Sequence, residues 1–481
     1  MSRGSGLERP AVIAIDLGAE SCRVSLLRWR EHAPSVFMVR RFENGPEDHG
    51  QDGLRWNLDR ICIELEAGLR SCADMAPEGI ASIGVTGWAV DYVRLDASGR
   101  PLAQPFCYRD ERTQSAFKAV HAIVPAASLY GRTGVQIQTI NTIYQLYADK
   151  SSGVASSAPW VNLPEYILHW LGAPRIAEYT NATHTGLVDT ETRQWSGPIF
   201  QALGLDLAAA PDLVPPGTAL GPPREDLRRL PAFATTQLVA PACHDTASAI
   251  AGIPERLGGW AYISSGTWSL VGVPLTHSLR SHASYSRGFT NLGAADGGVL
   301  FHCGIPGMWL LRQCMNTWVP DRRWSLAQLI EEAKRLPSPD HWLDLDDPAL
   351  LPPGDMPARI NDQRKRQSLA PLPPGCEAAP QYANLIFHSL AHRYGVLFDE
   401  IEEMTAHRPG HICVVGGGSQ NEYLNALTSA TTGVPVRRCS VESSTLGNFA
   451  LQWARIAQPS GPLLPQSIAD KVSALAEVLI I

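Results

Sequence analysis

Apolar residues at the start of the chain are grouped in short runs that polar turns separate. The runs at 11–16, 22–29 and 35–42 predict three strands of an antiparallel meander. A helical pattern of apolar positions follows at about 57–74, and residues 80–99 predict a further strand, turn and strand. The first part of the chain therefore has the order of three strands, a helix and a strand.

The C-terminal half repeats this order. An apolar hairpin at 260–273 is followed by helical patterns at 305–318 and about 381–407, and then by a strand at 411–415 that leads into a helix at 422–432. The two halves agree in pattern more than in residue identity, which indicates a weak internal duplication. Such a duplication predicts two related α/β domains.

The segments around these two halves carry different signals. Residues 112–203 are mainly helical in pattern, and 164–171 predict a short amphipathic helix. Pro and Gly are frequent at 204–241, which is typical of connections and small strands. A second proline-rich stretch, at about 337–380, predicts a surface insertion. The domain boundary is expected near 241–255.

The length and charge of the chain limit how many domains it has and which partners it binds. Its 481 residues exceed the roughly 250–300 residues that one hydrophobic core supports. We therefore expect two domains, at 1–243 for sugar binding and 244–481 for nucleotide binding, once the motifs below are considered. A net charge of −7 gives no long-range attraction to nucleic acid or to an anionic membrane, so neither is an expected partner.

No segment of the sequence indicates export or a membrane span. The first ten residues lack an apolar signal core, and no continuous apolar stretch reaches the roughly 18 residues that a span requires. The ten cysteines are scattered singly, without zinc-type spacing, and predict buried thiols in a reducing compartment. We expect a cytoplasmic protein that is a monomer or a homodimer.

Two strand–turn–strand segments are similar to phosphate-binding hairpins. In the first, Asp16 ends an apolar strand, and Ser21 and Arg23 follow the turn; in the second, the turn is 265–267. Amides and hydroxyls in such turns bind anions, and a carboxylate there binds hydrated Mg²⁺. The alternative for Asp16 is a polar hairpin turn in which the carboxylate accepts local amides.

Asp245 follows His244 and begins a helical pattern shortly before the second hairpin. In one interpretation Asp245 is the N-cap of that helix. In the other it is a general base, which accepts the proton of a substrate hydroxyl as that oxygen attacks the γ-phosphate. We favour the base, because a cap needs neither a preceding histidine nor a neighbouring phosphate hairpin. A two-domain phosphoryl-transfer enzyme is therefore predicted.

Aromatic and charged residues near two turns are candidates for sugar binding. Trp88 and Asp91 lie in one turn, and Arg109 and Asp110 lie in another. An aromatic face with carboxylate acceptors and guanidinium donors binds polyhydroxylated ligands. The alternatives are a core position for Trp88 and an ion pair between Arg109 and Asp110.

Three glycines at 416–418 end a strand and open a helix. Without side chains, the backbone there approaches an adenosine or a phosphate closely. The alternative is a tight strand-to-helix turn, because the motif is neither a dinucleotide fingerprint nor a Walker loop.

Taken together, the motifs resemble the FGGY carbohydrate kinases over nearly the whole chain. The segments that carry the resemblance are Asp16–Ala19 with Arg23, 86–91, 108–113, 178–183, 243–249, 265–269, 289–291, 307–311, 416–421 and 446–448. The resemblance implies an α/β protein with two actin/Hsp70-like (ribonuclease H-like) domains, a hinge and an intervening cleft. It also implies ATP- and Mg²⁺-dependent transfer to a sugar hydroxyl, with the domains closing over the substrate.

The motifs and the resemblance together imply a role for each candidate residue. Asp245 is the expected catalytic base. The expected sugar contacts are Trp88, Ala89, Asp91, Arg109, His244 and Thr246. The expected nucleotide contacts are Asp16, Ala19, Ser21, Arg23, Thr267, Gly416, Gly417 and Asn421, with Asp16 also holding the metal.

The resemblance favours a ketose acceptor, most of all a 6-deoxy ketose such as L-rhamnulose at its primary hydroxyl. L-fuculose and other ketoses or polyols are alternatives. A non-kinase ATPase of the same fold is a second class, against which the motif 244–246 stands. An inactive sugar- or nucleotide-sensing protein is a third. Departures from the pattern at Ala89, Gly304 and Arg312 are compatible with it, and an intact Asp245 and Thr267 argue against it.

Overall fold

The structure is a computed structural model and describes residues 9–30, 33–255, 258–319, 321, 324–475 and 479–480. The strands are β1 Ala11–Leu17, β2 Ser21–Arg30, β3 Ala33–Glu43, β4 Pro46–Asp48, β5 Leu54–Trp56, β6 Ile80–Gly87, β7 Tyr92–Arg94, β8 Trp160–Asn162, β9 Ile176–Glu178, β10 Val188–Asp189, β11 Gln194–Trp195, β12 Asp212–Val214, β13 Thr218–Gly221, β14 Gln237–Ala240, β15 Trp260–Ser265, β16 Trp268–Leu275, β17 Phe289–Gly293, β18 Val299–Pro306, β19 His411–Val415, β20 Val436–Arg438 and β21 Leu479–Ile480. The helices are α1 Leu58–Met75, α2 Thr113–Ile123, α3 Ala126–Thr133, α4 Thr142–Ser151, α5 Leu163–Trp170, α6 Tyr179–Ala182, α7 Gly197–Leu203, α8 Glu225–Arg228, α9 Asp245–Ala251, α10 His282–Ser286, α11 Trp309–Trp318, α12 Leu326–Lys334, α13 Met356–Arg366, α14 Ala379–Thr405, α15 Glu422–Thr432, α16 Ser443–Ala457 and α17 Pro465–Leu475.

The chain forms two compact units. Unit 1 comprises residues 1–256, 275–300 and 443–481, and unit 2 comprises residues 257–274 and 301–442. The C-terminal segment of the chain therefore belongs to the same unit as the N-terminal segment. The expected assignment of sugar binding to 1–243 and nucleotide binding to 244–481 concerns ligands and stays a prediction.

Unit 1 is built on a sheet whose strand order is β13-β14-β6-β1-β2-β3-β21. β1 is antiparallel to β2 and parallel to β6, and β2 is antiparallel to β3, so the predicted meander is confirmed. Every residue of β1 is buried, as expected for a central strand that is covered on both faces.

The sheet of unit 2 has the strand order β18-β16-β15-β19-β20. β15 is antiparallel to β16 and parallel to β19, and β19 is parallel to β20. Five strands of the unit 1 sheet have the order β3-β2-β1-β6-β14. When the strands of each set are numbered one to five along the chain, both sets have the same spatial order, 3-2-1-4-5. The topology confirms the predicted internal duplication.

Helix α9 packs on α16 with almost no space between their backbones. A Cβ atom on Gly447 would lie 1.9 Å from the carbonyl oxygen of Ser248, and one on Gly252 would lie 2.3 Å from that of Ser443. Any side chain at these two glycines would push the helices apart. The close approach fixes the position of α9 on α16.

Helix α16 is in turn attached to the sheet by buried polar side chains. Gln452 donates from Nε2 to the carbonyl of Ile13 on β1 at 2.9 Å, and its Oε1 accepts the hydroxyl of Ser82 on β6 at 2.6 Å. Because buried polar groups are costly when unpaired, these bonds define one docking position. The start of α9 is thereby held beside the ends of β1 and β6.

Some predicted elements differ from the observed ones. The predicted helix 305–318 begins only at Trp309, because β18 continues to Pro306. The proline-rich stretch 337–380 is not only a surface insertion: it contains α13, whose Met356 and Ile360 are fully buried.

The cysteines of the chain, all among the described residues, form no disulfide bonds. All ten cysteines are free thiols, and most of them are buried. Among the described residues, no helix combines the length and the apolar character that crossing a bilayer requires.

Candidate active site

Asp245 is the first residue of α9 and is not its N-cap. The N-cap is His244, whose Nδ1 accepts the amide of Ala247 at 3.4 Å. The interpretation of Asp245 as the capping residue is therefore wrong. Its carboxylate is not needed to cap the start of the helix and is available for another role.

The carboxylate of Asp245 is held by one of its two oxygens. The hydroxyl of Thr246 donates to Oδ1 at 3.1 Å, and Nε2 of His244 lies 3.2 Å from the same atom. None of the described side chains donates to Oδ2. Burial raises the pKa of this carboxyl to about 6, although 39% of its side-chain surface is accessible. At neutral pH the group is therefore ionised, with one oxygen open to a proton donor.

Asp16 lies at the end of β1, directly opposite Arg23 on β2. Nη1 of Arg23 is 3.2 Å from Oδ2 of Asp16, and the hydroxyl of Thr86 is 3.3 Å from Oδ1. Burial raises the pKa of Asp16, the Arg23 guanidinium lowers it, and the charge of Asp245 raises it further. The negative charge of Asp245 thus acts on Asp16, which also has one guanidinium beside it.

The turn between β1 and β2 is narrow. A Cβ atom on Gly18 would lie 2.4 Å from the carbonyl oxygen of Ser21, and Nδ2 of Asn44 donates to the Gly18 carbonyl at 2.9 Å. Ala19 and Ser21 are both partly exposed in this turn. Their contacts to a nucleotide stay predictions.

Asp91 is fully buried beneath the predicted sugar-binding turn. Its Oδ2 accepts the indole N–H groups of Trp56 at 2.6 Å and Trp88 at 2.9 Å, and its Oδ1 accepts Nε2 of Gln145 at 3.2 Å. Burial raises the pKa of Asp91 to about 6. Both oxygens are occupied by protein donors, so the geometry favours a role in positioning the two indoles.

The turn that contains Trp88 is strained at Val90. Val90 has a φ of 69°, which is unusual for a β-branched residue, and the amide of Asp91 donates to the Ala89 carbonyl at 2.9 Å. The hydroxyl of Thr142 on α4 donates to the Val90 carbonyl at 2.7 Å and so holds the backbone in this conformation. Trp88 and Ala89 are 6% and 8% exposed. Strain of this kind is concentrated at functional sites.

Arg109 is exposed, and Nε donates to the hydroxyl of Tyr108 at 3.2 Å. Asp110 instead accepts the backbone amides of Leu54 at 2.7 Å and Arg112 at 2.9 Å. The alternative ion pair between Arg109 and Asp110 is not observed. The guanidinium of Arg109 faces solvent, where a ligand can reach it.

In unit 2, Thr267 lies in the turn between β15 and β16. Its carbonyl accepts the amides of Gly307 at 3.0 Å and Trp309 at 3.1 Å, which fastens the turn to the start of α11. Below the turn, the hydroxyls of Ser269 and Tyr394 are 2.7 Å apart. None of the described residues bonds the hydroxyl of Thr267, so this group is available to an anion.

The three glycines after β19 differ in what surrounds them. A Cβ atom on Gly416 would lie 2.8 Å from the carbonyl oxygen of Ser265, and one on Gly418 would lie 2.0 Å from its Oγ. The same atom on Gly417 would have no neighbour within 4 Å. Packing against Ser265 therefore explains two of the glycines, whereas Gly417 borders open space.

Asn421 is the N-cap of α15. Its Oδ1 accepts the amide of Leu424 at 3.0 Å, whereas its Nδ2 is buried without a partner among the described residues. An unpartnered buried donor is costly unless a ligand or water pairs with it. A hydrogen-bond acceptor on a bound nucleotide fits this position.

Within unit 1, backbone hydrogen bonds bring the predicted residues together. The amide of Gly87 donates to the Cys243 carbonyl at 2.9 Å, and the amide of Trp88 lies 3.3 Å from the Leu17 carbonyl. The ends of β1 and β6 and the segment before α9 are thereby joined. Contacting residues that no sequence motif marked are Trp56, Thr142, Gln145 and His184.

Comparisons with known proteins cover nearly the whole chain. The model of the FGGY family of carbohydrate kinases, N-terminal domain, matches residues 11–252, and the C-terminal domain model matches residues 261–455. The chain is 34% identical to a rhamnulokinase of Enterococcus faecalis over 93% of this chain and 89% of that protein. It is 31% identical to a rhamnulokinase of Bacillus subtilis over 91% and 89% of the two chains.

Solved structures share the fold at low sequence identity. A xylulose kinase from Lactobacillus acidophilus superposes with a TM-score of 0.76 at 14% identity, covering 96% of this chain and 92% of that one. A glycerol kinase from Plasmodium falciparum with ADP gives a TM-score of 0.73 at 13% identity, again over 96% and 92%. These likenesses confirm the expected fold class.

Proposed function

We propose that this chain, which belongs to the FGGY family of carbohydrate kinases, transfers the γ-phosphate of ATP to a hydroxyl of a ketose, with L-rhamnulose as the favoured acceptor. The proposal rests on Asp245, a partly exposed carboxylate whose Oδ1 accepts the hydroxyl of Thr246 and lies 3.2 Å from Nε2 of His244, while no described side chain donates to Oδ2. L-rhamnulose is favoured because the relatives named above are rhamnulokinases that align with more than nine-tenths of the chain.

Asp245 acts as the general base of the transfer. Its Oδ2 accepts the proton of the sugar hydroxyl while that oxygen forms a bond to the γ-phosphorus and the bond from this phosphorus to the bridging β–γ oxygen breaks. The products are the sugar phosphate and ADP. Because the pKa of Asp245 is raised to about 6, its carboxylate is ionised at neutral pH and is a stronger base than an ordinary aspartate.

The sugar is held on unit 1 in this proposal. Trp88, fixed by Asp91, supplies an indole edge, and Arg109 supplies exposed guanidinium donors. Thr246 donates to Asp245 and Nε2 of His244 lies 3.2 Å from it, which places any contact they make with sugar hydroxyls next to the base. A polyhydroxylated ligand needs such a set of directed donors and acceptors.

Each unit has its own proposed nucleotide contacts: the first hairpin lies in unit 1, and the second hairpin and the glycine turn lie in unit 2. Arg23 and the hydroxyl of Thr267 bind phosphate oxygens, and the open space beside Gly417 admits the nucleotide close to the backbone. The unpaired Nδ2 of Asn421 donates to the bound nucleotide.

Asp16 fits a divalent cation, which we propose to be Mg²⁺. It is a nearly buried carboxylate whose pKa the charge of Asp245 raises, and Arg23 alone does not balance the two negative charges. Oxygen ligands of this kind suit Mg²⁺, which binds through one or two carboxylates and the phosphates of its substrate. When bound, the ion supplies positive charge that offsets the charge of the β- and γ-phosphates.

A coupled ADP-release assay tests the proposal. L-rhamnulose, L-fuculose, other ketoses, aldoses and polyols are each offered with ATP and Mg²⁺, and ATP binding is measured separately by calorimetry. Turnover that is fastest with L-rhamnulose supports the proposal. ATP binding without turnover on any sugar contradicts it and favours an inactive sensor, whereas turnover on another ketose corrects only the acceptor.

A further inference from the structure

His184 touches the candidate base through His244. It lies in the 3-10 turn Thr183–Thr185, and its Nε2 is 3.1 Å from Nδ1 of His244. The two imidazole rings are 3.9 Å apart between centroids. The backbone of His184 is itself held, because Nδ2 of Asn141 donates to its carbonyl at 3.2 Å.

The hydrogen bonds around His244 define its tautomer. The backbone N–H of Ala247 can only donate, and it points at Nδ1 from 3.4 Å, so Nδ1 carries a lone pair. The carboxylate of Asp245 can only accept, and its Oδ1 lies 3.2 Å from Nε2. His244 therefore carries its proton on Nε2, and His184 donates its own Nε2–H to Nδ1 of His244.

We propose that His184 is a positioning residue for the transfer, an inference that rests on the proposed kinase function. Its hydrogen bond holds His244 in the tautomer whose Nε2–H lies beside Oδ1 of Asp245, 3.2 Å from it. The carboxylate is thereby fixed with Oδ2 facing the sugar hydroxyl. His184 supplies the shorter of the two contacts at Nδ1, 3.1 Å against 3.4 Å for Ala247, so its loss leaves Nδ1 with only the longer one.

Loss of this donor changes the base in a predictable direction. The proton of His244 then also populates Nδ1, and in that form the lone pair on Nε2 faces Oδ1 of Asp245. Repulsion between the two lone pairs raises the pKa of Asp245 and turns its carboxylate. The other charged groups around Asp245 are Asp16 and, paired with Asp16, Arg23. Substitution of His184 leaves these groups unchanged.

Two substitutions separate the hydrogen bond from the shape of the ring. His184→Phe keeps a ring beside His244 and removes the donor, whereas His184→Gln places an amide donor near the position of Nε2. We expect His184→Phe to lower kcat about tenfold with an unchanged KM for ATP, because the base contributes about 10²–10⁴-fold and only its orientation is disturbed. The acid limb of kcat/KM moves to higher pH. His184→Gln restores most of the lost kcat and most of the shift in the acid limb.

The matched control is His169→Phe. His169 also belongs to unit 1, but its Nδ1 contacts the carbonyl of Ala173 rather than a residue of the site. We expect wild-type kcat and an unchanged acid limb in this variant. A purely structural role of His184 would lower stability without moving the acid limb.

A measurement that needs no activity completes the test. In protein labelled with ¹⁵N-histidine, long-range ¹H–¹⁵N correlation reports the tautomer of His244, with His244→Gln assigning its signals. We expect the Nε2–H tautomer in the wild type and a mixture in His184→Phe. If that variant does not fold, His184→Asn, whose amide is too short to reach Nδ1, takes its place.

The outcomes distinguish this inference from the kinase proposal. Absence of sugar-dependent turnover in the wild type overturns the kinase function, whereas the tautomer measurement still reports the hydrogen bond. Wild-type kcat and acid limb in His184→Phe overturn the positioning role. An unchanged His244 tautomer in that variant overturns it as well, as does a His184→Gln variant that is no better than His184→Phe.

Discussion

The indole nitrogens of Trp56 and Trp88 converge on one oxygen of Asp91, at 2.6 and 2.9 Å, with the two rings 4.4 Å apart. The carboxylate is thus the common acceptor of two aromatic side chains. Gln145 occupies its second oxygen, and Nε2 of Gln145 also bonds the carbonyls of Val90 and Ile140. This arrangement fixes the orientation of the Trp88 indole.

Asp91→Asn should destabilise the protein. The new amide places a donor against either an indole N–H or Nε2 of Gln145, and a buried donor left unpaired costs about 1–3 kcal/mol. Urea unfolding at pH 8, where Asp91 with its pKa of about 6 is ionised in the wild type, measures this cost. The exposed Asp52, changed to Asn as the control, should alter stability by less than about 0.5 kcal/mol. Equal stability of the two variants would contradict the role given to Asp91.

Substitutions of Gly417 and Gly418 form a matched pair for testing nucleotide binding. A Cβ atom on Gly418 collides with Oγ of Ser265 at 2.0 Å, whereas one on Gly417 meets no protein atom within 4 Å. We expect Gly418→Ala to lower the melting temperature, because overpacking costs about 1–3 kcal/mol. Gly417→Ala should leave the melting temperature unchanged and raise the KM for ATP several-fold, because its methyl group occupies the space next to the nucleotide. An unchanged KM in Gly417→Ala would remove Gly417 from the nucleotide site.

Two buried carboxylates predict that stability falls as pH rises. Glu165 and Glu178 are fully buried; Nδ2 of Asn181 donates to Glu165 at 2.7 Å, and the amide of Cys243 donates to Glu178 at 2.7 Å. Burial, and for Glu165 the charge of Glu178, raises their pKa values to about 8 and about 7. Since both folded-state values lie above that of an unfolded glutamate, the stabilisation is complete below about pH 4.3 and is lost as pH rises to about 8.

The melting temperature should therefore decrease between pH 6 and pH 8. In Glu165→Gln one of the two groups no longer titrates, so the slope of melting temperature against pH becomes shallower by a few degrees over this interval. Differential scanning fluorimetry in buffers of constant ionic strength measures both slopes. Parallel slopes would show that Glu165 does not titrate with a raised pKa.

Local sequence pattern was sufficient for elements that lie between clear boundaries. The strand 411–415 and the helix 422–432 have the predicted bounds, because an apolar run ends at glycines and Asn421 then caps the helix. The helix predicted at 305–318 was too long, since the apolar residues Ile305 and Pro306 belong to a strand. An apolar run of that length is compatible with either element until its tertiary partners are known.

Sequence pattern also identified some residues of the candidate site and missed others. The motifs marked Asp16, Asp245 and Thr267, because each follows or interrupts a recognisable apolar run. Trp56, Gln145 and His184 were missed: they contact Asp91 or His244 from positions 35, 54 and 60 residues away in sequence. No spacing pattern encodes such contacts, which arise only when the sheet and its helices assemble.

The raised pKa of Asp245 predicts the acid limb of the kinase reaction. A general base must be ionised, so kcat/KM should fall about tenfold per pH unit below about pH 6, the pKa that burial gives Asp245. The rate is measured from pH 5 to pH 8 with saturating ATP and limiting sugar. An acid limb near pH 4, the value of an ordinary aspartate, would contradict the environment described for this carboxylate.

The role of Asp245 is tested most directly by Asp245→Asn. The amide oxygen of Asn still accepts the hydroxyl of Thr246 and lies beside Nε2 of His244, but the side chain no longer takes a proton. With the sugar that the wild type uses best, turnover in the coupled ADP-release assay should fall about 10²-fold or more, while calorimetry shows ATP binding within about twofold of wild type. Asp52→Asn, the exposed control, should retain full turnover. Near-wild-type turnover in Asp245→Asn would contradict the assignment of Asp245 as the base.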